Sequence, residues 1–254
     1  IFNNDVWNNI FPTHWTVDGW PKPTFRLVDG QLLAPRESLG DPLTMRSAVR
    51  LLDLLVNAWR LRRDLDAAWE PWLPPAYQPL EAYTGTVNTT WQYQWDHNMV
   101  QMRHEDLPRE KSHWAVWLAP RSPRMQYGLD LTRALFGKIA ELTTAQGGRF
   151  AILTHHTPHE LSMREEVYLL NNRYYRVSPA QYRLNLAAVT EGFLLFDVPV
   201  TVDEWRYGPE DAHLNEHAVD QVMEDLAARL AEVMRARGWV GPRATTSAGT
   251  TAAP

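Results

Sequence analysis

Cysteine is missing from all 254 residues, which excludes disulfides, thiolate nucleophiles and cysteine-ligated metals and leaves the compartment unread from redox chemistry. Long apolar runs are missing too. No stretch of about 18 apolar residues occurs and no basic-then-apolar leader is visible, so no membrane-spanning segment is expected within this stretch. The chain opens at Ile1 rather than at a methionine, so any leader or anchor is expected upstream of it. Polybasic runs are also lacking: 25 Lys and Arg are spread among 30 Asp and Glu, with a formal charge of -5. Nothing in that distribution could neutralise a phosphate backbone, and nucleic acid is not an expected partner. What is present is a hydrophobic fraction of 44%, ordinary for a chain that builds a real core.

Apolar periodicity organises much of the sequence. Met45, Val49, Leu52, Val56 and Trp59 recur at helical spacing, with Arg60, Arg62 and Arg63 closing the C-terminal end. A second helical pattern runs through Leu131, Leu135, Ile139 and Leu142 to Gly147-Gly148, and the continuous apolar run Phe150 to Leu153 follows as a strand. Ser178 as N-cap and Pro179 at the first helical position start a third, with Tyr182, Leu186 and Val189 inward, ending at Gly192 before the strand Phe193 to Phe196. The last helix carries Val219, Val222, Leu226, Leu230 and Val233, then Arg235, Arg237 and Gly238. Helices alternating with short, non-alternating apolar strands predict an α/β fold with a parallel sheet covered on both faces, whose ligands bind at the carboxyl ends of the strands. Two stretches depart from this rhythm. Residues 69–128, rich in Trp, Tyr, Pro and His, are expected to be a long insertion, and residues 241–254 a disordered tail.

The segment Glu210-Asp211-Ala212-His213-Leu214-Asn215 lies just before the final helix, in an expected loop. A carboxylate two residues from a histidine can hold the imidazole in one tautomer and stabilise the imidazolium, as a general base for a serine requires. Asn215 is placed to cap the helix and fix that loop. An Asp-x-His is also found on ordinary surface loops, so position must carry the argument.

Asp211-x-His213-x-Asn215-x-x-Ala218, followed by an amphipathic C-terminal helix, resembles the last block of the SGNH/GDSL hydrolases, with Ala218 where that family usually has Gly. Phe2-Asn3-Asn4-Asp5 is similar to the family's Gly-x-Asn-Asp block, with Phe2 in place of the Gly. The resemblance implies a three-layer flavodoxin-like domain over residues 1–240, with helices on both faces of a parallel sheet. It implies an ester hydrolase in which His213 is the base, Asp211 orients it and Asn4 helps form the oxyanion hole, with no cofactor and no metal. The family's Gly-Asp-Ser block and its oxyanion glycine are not in this sequence. Ser38 lacks the strand-to-helix context of a nucleophile turn. The sequence is then either a piece of a longer chain or a genuine fragment without hydrolytic activity; a longer chain is expected, because without the first strands a central parallel strand would expose an unpaired edge and an uncovered apolar face, and the piece alone is expected to be inactive, because a base without a nucleophile supplies only a small part of the rate. The substrate implied is a small-molecule or glycan ester. An acyl transferase acting on a cell-envelope polymer shares the same triad, and a non-catalytic carbohydrate-binding domain could keep the same fold.

Further candidates remain open. His155 and His156, in the run to His159-Glu160 after the Phe150 strand, could line a substrate pocket, hold a metal, or belong to an ordinary polar loop. Trp91, Tyr93 and Trp95 alternate with Gln92 and Gln94, which places the rings on one face of an expected strand, either stacked on sugar faces or gathered in a satellite core. Asn88-Thr89-Thr90 has the pattern of a glycosylation acceptor, meaningful only in a glycosylating pathway. Asp197 and His217 are expected to be structural.

Overall fold

The computed structural model describes residues 2–14, 22–34, 65–99, 102, 104–208 and 213–239, with the side chains of Phe2 and Asn3 excepted. The expected helix over Met45 to Trp59, Ser38, Asp211 and the 241–254 tail lie outside them. The chain is mixed α/β with a small parallel sheet. It divides into two compact units, residues 1–154 with 159–195, and residues 155–158 with 196–254.

In the first unit, helix α1 (Phe2–Ile10) lies along the long helix α4 (Pro123–Ala145). Their close approach depends on Gly128, where a Cβ would come within 2.5 Å of the Ile10 side chain and 2.9 Å of Val6. Strands β1 (Arg26–Val28) and β2 (Gln31–Leu33) form a hairpin closed by Asp29 and Gly30, both at positive φ. A two-residue type I′ turn needs that conformation at both positions, and Asp-Gly supplies it cheaply. Strands β4 (Glu166–Leu170) and β5 (Arg173–Val177) form a second hairpin on the same principle, turned by Asn171 and Asn172 at φ 52° and 58°. The helix–strand rhythm expected from periodicity is thus interrupted by two antiparallel hairpins, each marked in the sequence by its turn dipeptide.

Segment 80–88 straps this second hairpin. Leu80 pairs in both directions with Tyr174 on the outer edge of β5, and Asn88 pairs with Val167 and Leu169 on the outer edge of β4. Leu118 bridges Val177 further along β5.

Residues 91–95 are not a strand. They lie in helix α3 (Thr90–Asp96), which sends Trp91 into the core and leaves Tyr93 and Trp95 58% and 40% exposed. Residues two apart point to opposite sides of a helix, so the alternation that reads as one face of a strand here divides the rings. Trp91 stacks on Tyr168 at 4.3 Å and meets Trp114 and Tyr175 at 5.1 and 6.2 Å. Far from forming a satellite core, the aromatic stretch supplies Tyr77, Trp91, Leu107, Val116 and Trp117 to the cluster that also holds Met125, Leu129, Tyr175, Tyr182 and Val189. Helix α6 (Pro179–Thr190) begins as its residues predict, with the Ser178 hydroxyl accepting from the Gln181 N–H. Helix α2 (Leu65–Trp69) presents Asp66 and Trp69 to the interior.

Strands β3 (Ala151–His156) and β6 (Leu194–Pro199) lie side by side, and their carboxyl ends enter the second unit. After β3, Pro158 opens the one-turn helix α5 (Pro158–Ser162), so the run to His159 and Glu160 is not a loop. Val198 and Val200 in the second unit pack on Ala218 and Val222 of helix α7 (Glu216–Ala236), with Val202, Trp205 and Leu214 around them.

Candidate functional site

In the second unit, β3 ends on His155 and His156, so these two lie on the strand rather than in a following loop. His156 Nε2 is 2.8 Å from Asp197 Oδ1 on β6. The His156 carbonyl accepts from Val200 N–H at 2.8 Å, and the Asp197 carbonyl accepts from Arg229 on α7 at 2.8 Å. The imidazole is therefore held between neighbouring strands by a half-exposed carboxylate. Asp197, expected to be structural, has this imidazole partner that sequence reasoning missed, because pairing across strands leaves no local spacing to read.

Residues 200–208 and 213–215 are the described part of the connection from β6 to α7. Arg206 bridges Leu214, and Asn215 N–H donates to the Trp205 carbonyl at 2.8 Å. The Asn215 amide then works in both directions: its oxygen accepts from Ala218 N–H at 3.0 Å, and its nitrogen donates to the Glu204 carbonyl at 2.5 Å. Asn215 caps α7 as its position predicts. His213, one residue before the bridged Leu214, is exposed, as is His217 in the first turn of α7. The loop end is thus pinned next to the imidazole while the imidazole itself faces solvent.

In the first unit, Asn4 lies in α1 with its amide oxygen buried and without a hydrogen-bond partner. A buried acceptor left unmatched costs about 1–3 kcal/mol, a penalty that folds retain where a polar group has another task.

The first unit also holds charged clusters for which the sequence analysis had no counterpart. Asp66 accepts from the Thr13 hydroxyl at 2.8 Å and faces Lys111 Nζ at 2.5 Å. Lys111 also donates to Thr13 Oγ1 at 2.5 Å and sits 5.7 Å from the centre of the Phe11 ring. Lys22 donates to the Asn8 carbonyl. Burial first, and the Lys111 charge second, pull Lys22 down to about 8 against the opposing pull of Asp66. Lys111 thus pairs with the Asp66 carboxylate, while Lys22 is held on a backbone carbonyl within reach of both charges. Nearby in sequence, the His113 ring Nδ1 lies 2.8 Å from Glu105 Oε1, while the His113 backbone N–H donates to Glu105 Oε2 at 2.9 Å. The His113 ring meets the edge of Trp7 at 5.7 Å. Among the described residues, no three His, Asp or Glu side chains gather as a metal site would require.

Glu110 is fully buried at φ 60° and accepts from the Ser122 hydroxyl at 2.8 and 2.7 Å, while that hydroxyl caps α4 at Met125 N–H. Burial pushes the Glu110 carboxyl up to about 7, with the Ser122 hydrogen bond opposing. The unfolded value is near 4.5, so between these limits the folded chain keeps a proton that the unfolded chain has lost. Stability is then fullest below about pH 4.5, falls as pH rises through the window, and levels off above about pH 7. Urea unfolding of the parent and of Glu110→Gln at pH 5 and pH 8 checks this. The parent should lose on the order of 2–3 kcal/mol more than the variant between the two pH values. Equal slopes would mean that Glu110 is ionised in the fold.

No protein-family model, curated protein or solved structure matches this chain.

Proposed function

We propose that this chain is part of an ester hydrolase of the SGNH/GDSL type, built on a three-layer flavodoxin-like sheet and acting on an acylated carbohydrate. The observation that carries the reading is the pinned start of α7, where the Arg206–Leu214 bridge and the Asn215 cap hold the backbone next to an exposed His213. A general base must meet its proton at a set distance, and a pinned loop supplies that without ordering cost at the moment of reaction. In this reading His213 takes the proton from a serine that precedes Ile1 and returns it to the leaving alcohol. Asp211 holds the imidazole in the right tautomer, and the Asn4 amide donates to the oxyanion. His155 and His156 line the substrate side, with Asp197 fixing the second of them.

The test adds the preceding coding sequence with its Gly-Asp-Ser turn and follows p-nitrophenyl acetate. Turnover should appear in the longer chain and be absent from residues 1–254 alone. An inert longer chain, or turnover by the short chain, would overturn the assignment.

A further inference from the structure

A short antiparallel pairing ends at α7 and sets the surroundings of His213. Arg206 bridges Leu214, and the Asn215 N–H donates to the Trp205 carbonyl at 2.8 Å. A hydrogen bond between residues flanking a bridge marks the bridged couple as the non-hydrogen-bonded pair of an antiparallel ladder, with one pair in register on each side of it. Trp205 therefore faces Asn215 on one side of the bridge, and Tyr207 faces His213 on the other. Directly opposed residues send their side chains to the same face, about 4.5–5.5 Å apart at Cβ. Tyr207 is thus the direct cross-strand neighbour of the proposed base. Both are at the surface, with Tyr207 64% exposed and His213 also exposed. Behind them Trp205 and Leu214 rest against Val198, Val200, Ala218 and Val222. The Asn215 amide nitrogen also donates to the Glu204 carbonyl at 2.5 Å, so the backbone leading into Tyr207 is anchored before any substrate arrives.

In the proposed mechanism the imidazole hands the serine proton to the departing alcohol, so it lies on the leaving-group side of the scissile bond. A side chain set against that imidazole meets the alcohol half of an ester, while the carbonyl oxygen points to the oxyanion donors. A tyrosine ring offers a flat, electron-rich face held by only two side-chain torsions. A pyranose matches that face, with polarised C–H bonds on one side of the ring and hydroxyls around its rim; a short alkyl alcohol would leave the aromatic ring uncovered. We infer that Tyr207 reads the alcohol half of the substrate, stacking on the sugar whose hydroxyl carries the acyl group, and so sets a preference for sugar esters over esters of small alcohols. The inference rests on the hydrolytic reading, and it gives Tyr207 a part in choosing the alcohol and none in choosing the acyl group.

The longer chain, with its preceding coding sequence, is assayed on glucose 6-acetate and acetylated xylotriose against ethyl acetate, and on p-nitrophenyl acetate against p-nitrophenyl butyrate. The parent should show a higher kcat/KM for at least one sugar ester than for ethyl acetate. Tyr207→Ala should lower that sugar-to-ethyl ratio by about tenfold or more, chiefly through KM, with an unchanged melting midpoint because the ring it removes is exposed. Tyr207→Phe and Tyr207→Trp keep a flat ring and should hold the ratio within about threefold of the parent's, and in every variant the acetate-to-butyrate ratio should move by less than about twofold. A parent that turns over ethyl acetate without preferring either sugar ester, or whose preference survives Tyr207→Ala, would overturn this inference and leave the hydrolytic reading standing. So would a Tyr207→Ala variant that changed the acetate-to-butyrate ratio instead. A longer chain inert on every one of these esters would remove the hydrolytic reading and this inference together.

Discussion

His213→Ala, made in a longer chain with the serine proposed to precede Ile1, should lower kcat for p-nitrophenyl acetate by roughly 10⁴-fold or more, while KM moves little. The size follows from the proposed role. Without a base, the serine must attack as a neutral hydroxyl, and the remaining rate comes from binding and the oxyanion hole alone. Asp211→Asn should cost a comparable factor, because an amide in that position favours the wrong imidazole tautomer. His217→Ala is the control, since this histidine is exposed on the first turn of α7 and has no part in the proposal. Its kcat should stay within about twofold of the parent. A His213→Ala enzyme that retained most of its kcat would remove His213 from the mechanism whatever the fate of the serine.

Trp91→Ala should destabilise the chain by about 3–5 kcal/mol, the range for truncating a large buried aromatic. Trp91 is 2% exposed and touches three rings, so its loss leaves a cavity that Tyr168, Trp114 and Tyr175 cannot close without leaving their own contacts. Tyr93→Ala and Trp95→Ala should cost about 1 kcal/mol or less, since neither ring is buried. Urea midpoints of the three variants decide the matter. A Trp91→Ala midpoint close to the parent's would mean that this stretch does not belong to the main core. A large loss for Tyr93→Ala would mean that α3 is not the helix described.

The helices were legible where their ends carry chemistry. Ser178-Pro179 and Asn215 announce α6 and α7, and both caps are made by the expected side chains. Helix α4 and strands β3 and β6 follow their apolar runs, but Ile139 and Leu142 near the end of α4 are exposed, so periodicity there reports the helix without the burial. The hairpins were written in Asp29-Gly30 and Asn171-Asn172, local turn signals that a search for helix-length periods passes over. Trp91 to Trp95 misled because a period of two is short evidence: over five residues, rings at alternate positions suit a strand face, and only burial by β4 and Trp114 decides for the helix. Near the proposed site, the Asn215 cap could be found from order along the chain. The Lys22, Asp66, Lys111 and Thr13 cluster could not, since its members are as much as 98 residues apart and each, taken singly, resembles an ordinary surface group.

The strap of residues 80–88 also has a colloidal consequence. A two-stranded ribbon presents two rows of unpaired N–H and C=O groups, each a template on which a second chain could grow. By pairing Leu80 on one border and Asn88 on the other, with Leu118 beyond, a single stretch of backbone occupies part of both rows. The β4–β5 ribbon is thereby guarded against self-templating by its own sequence, and one protease cut in the strap would loosen the guard on both borders together.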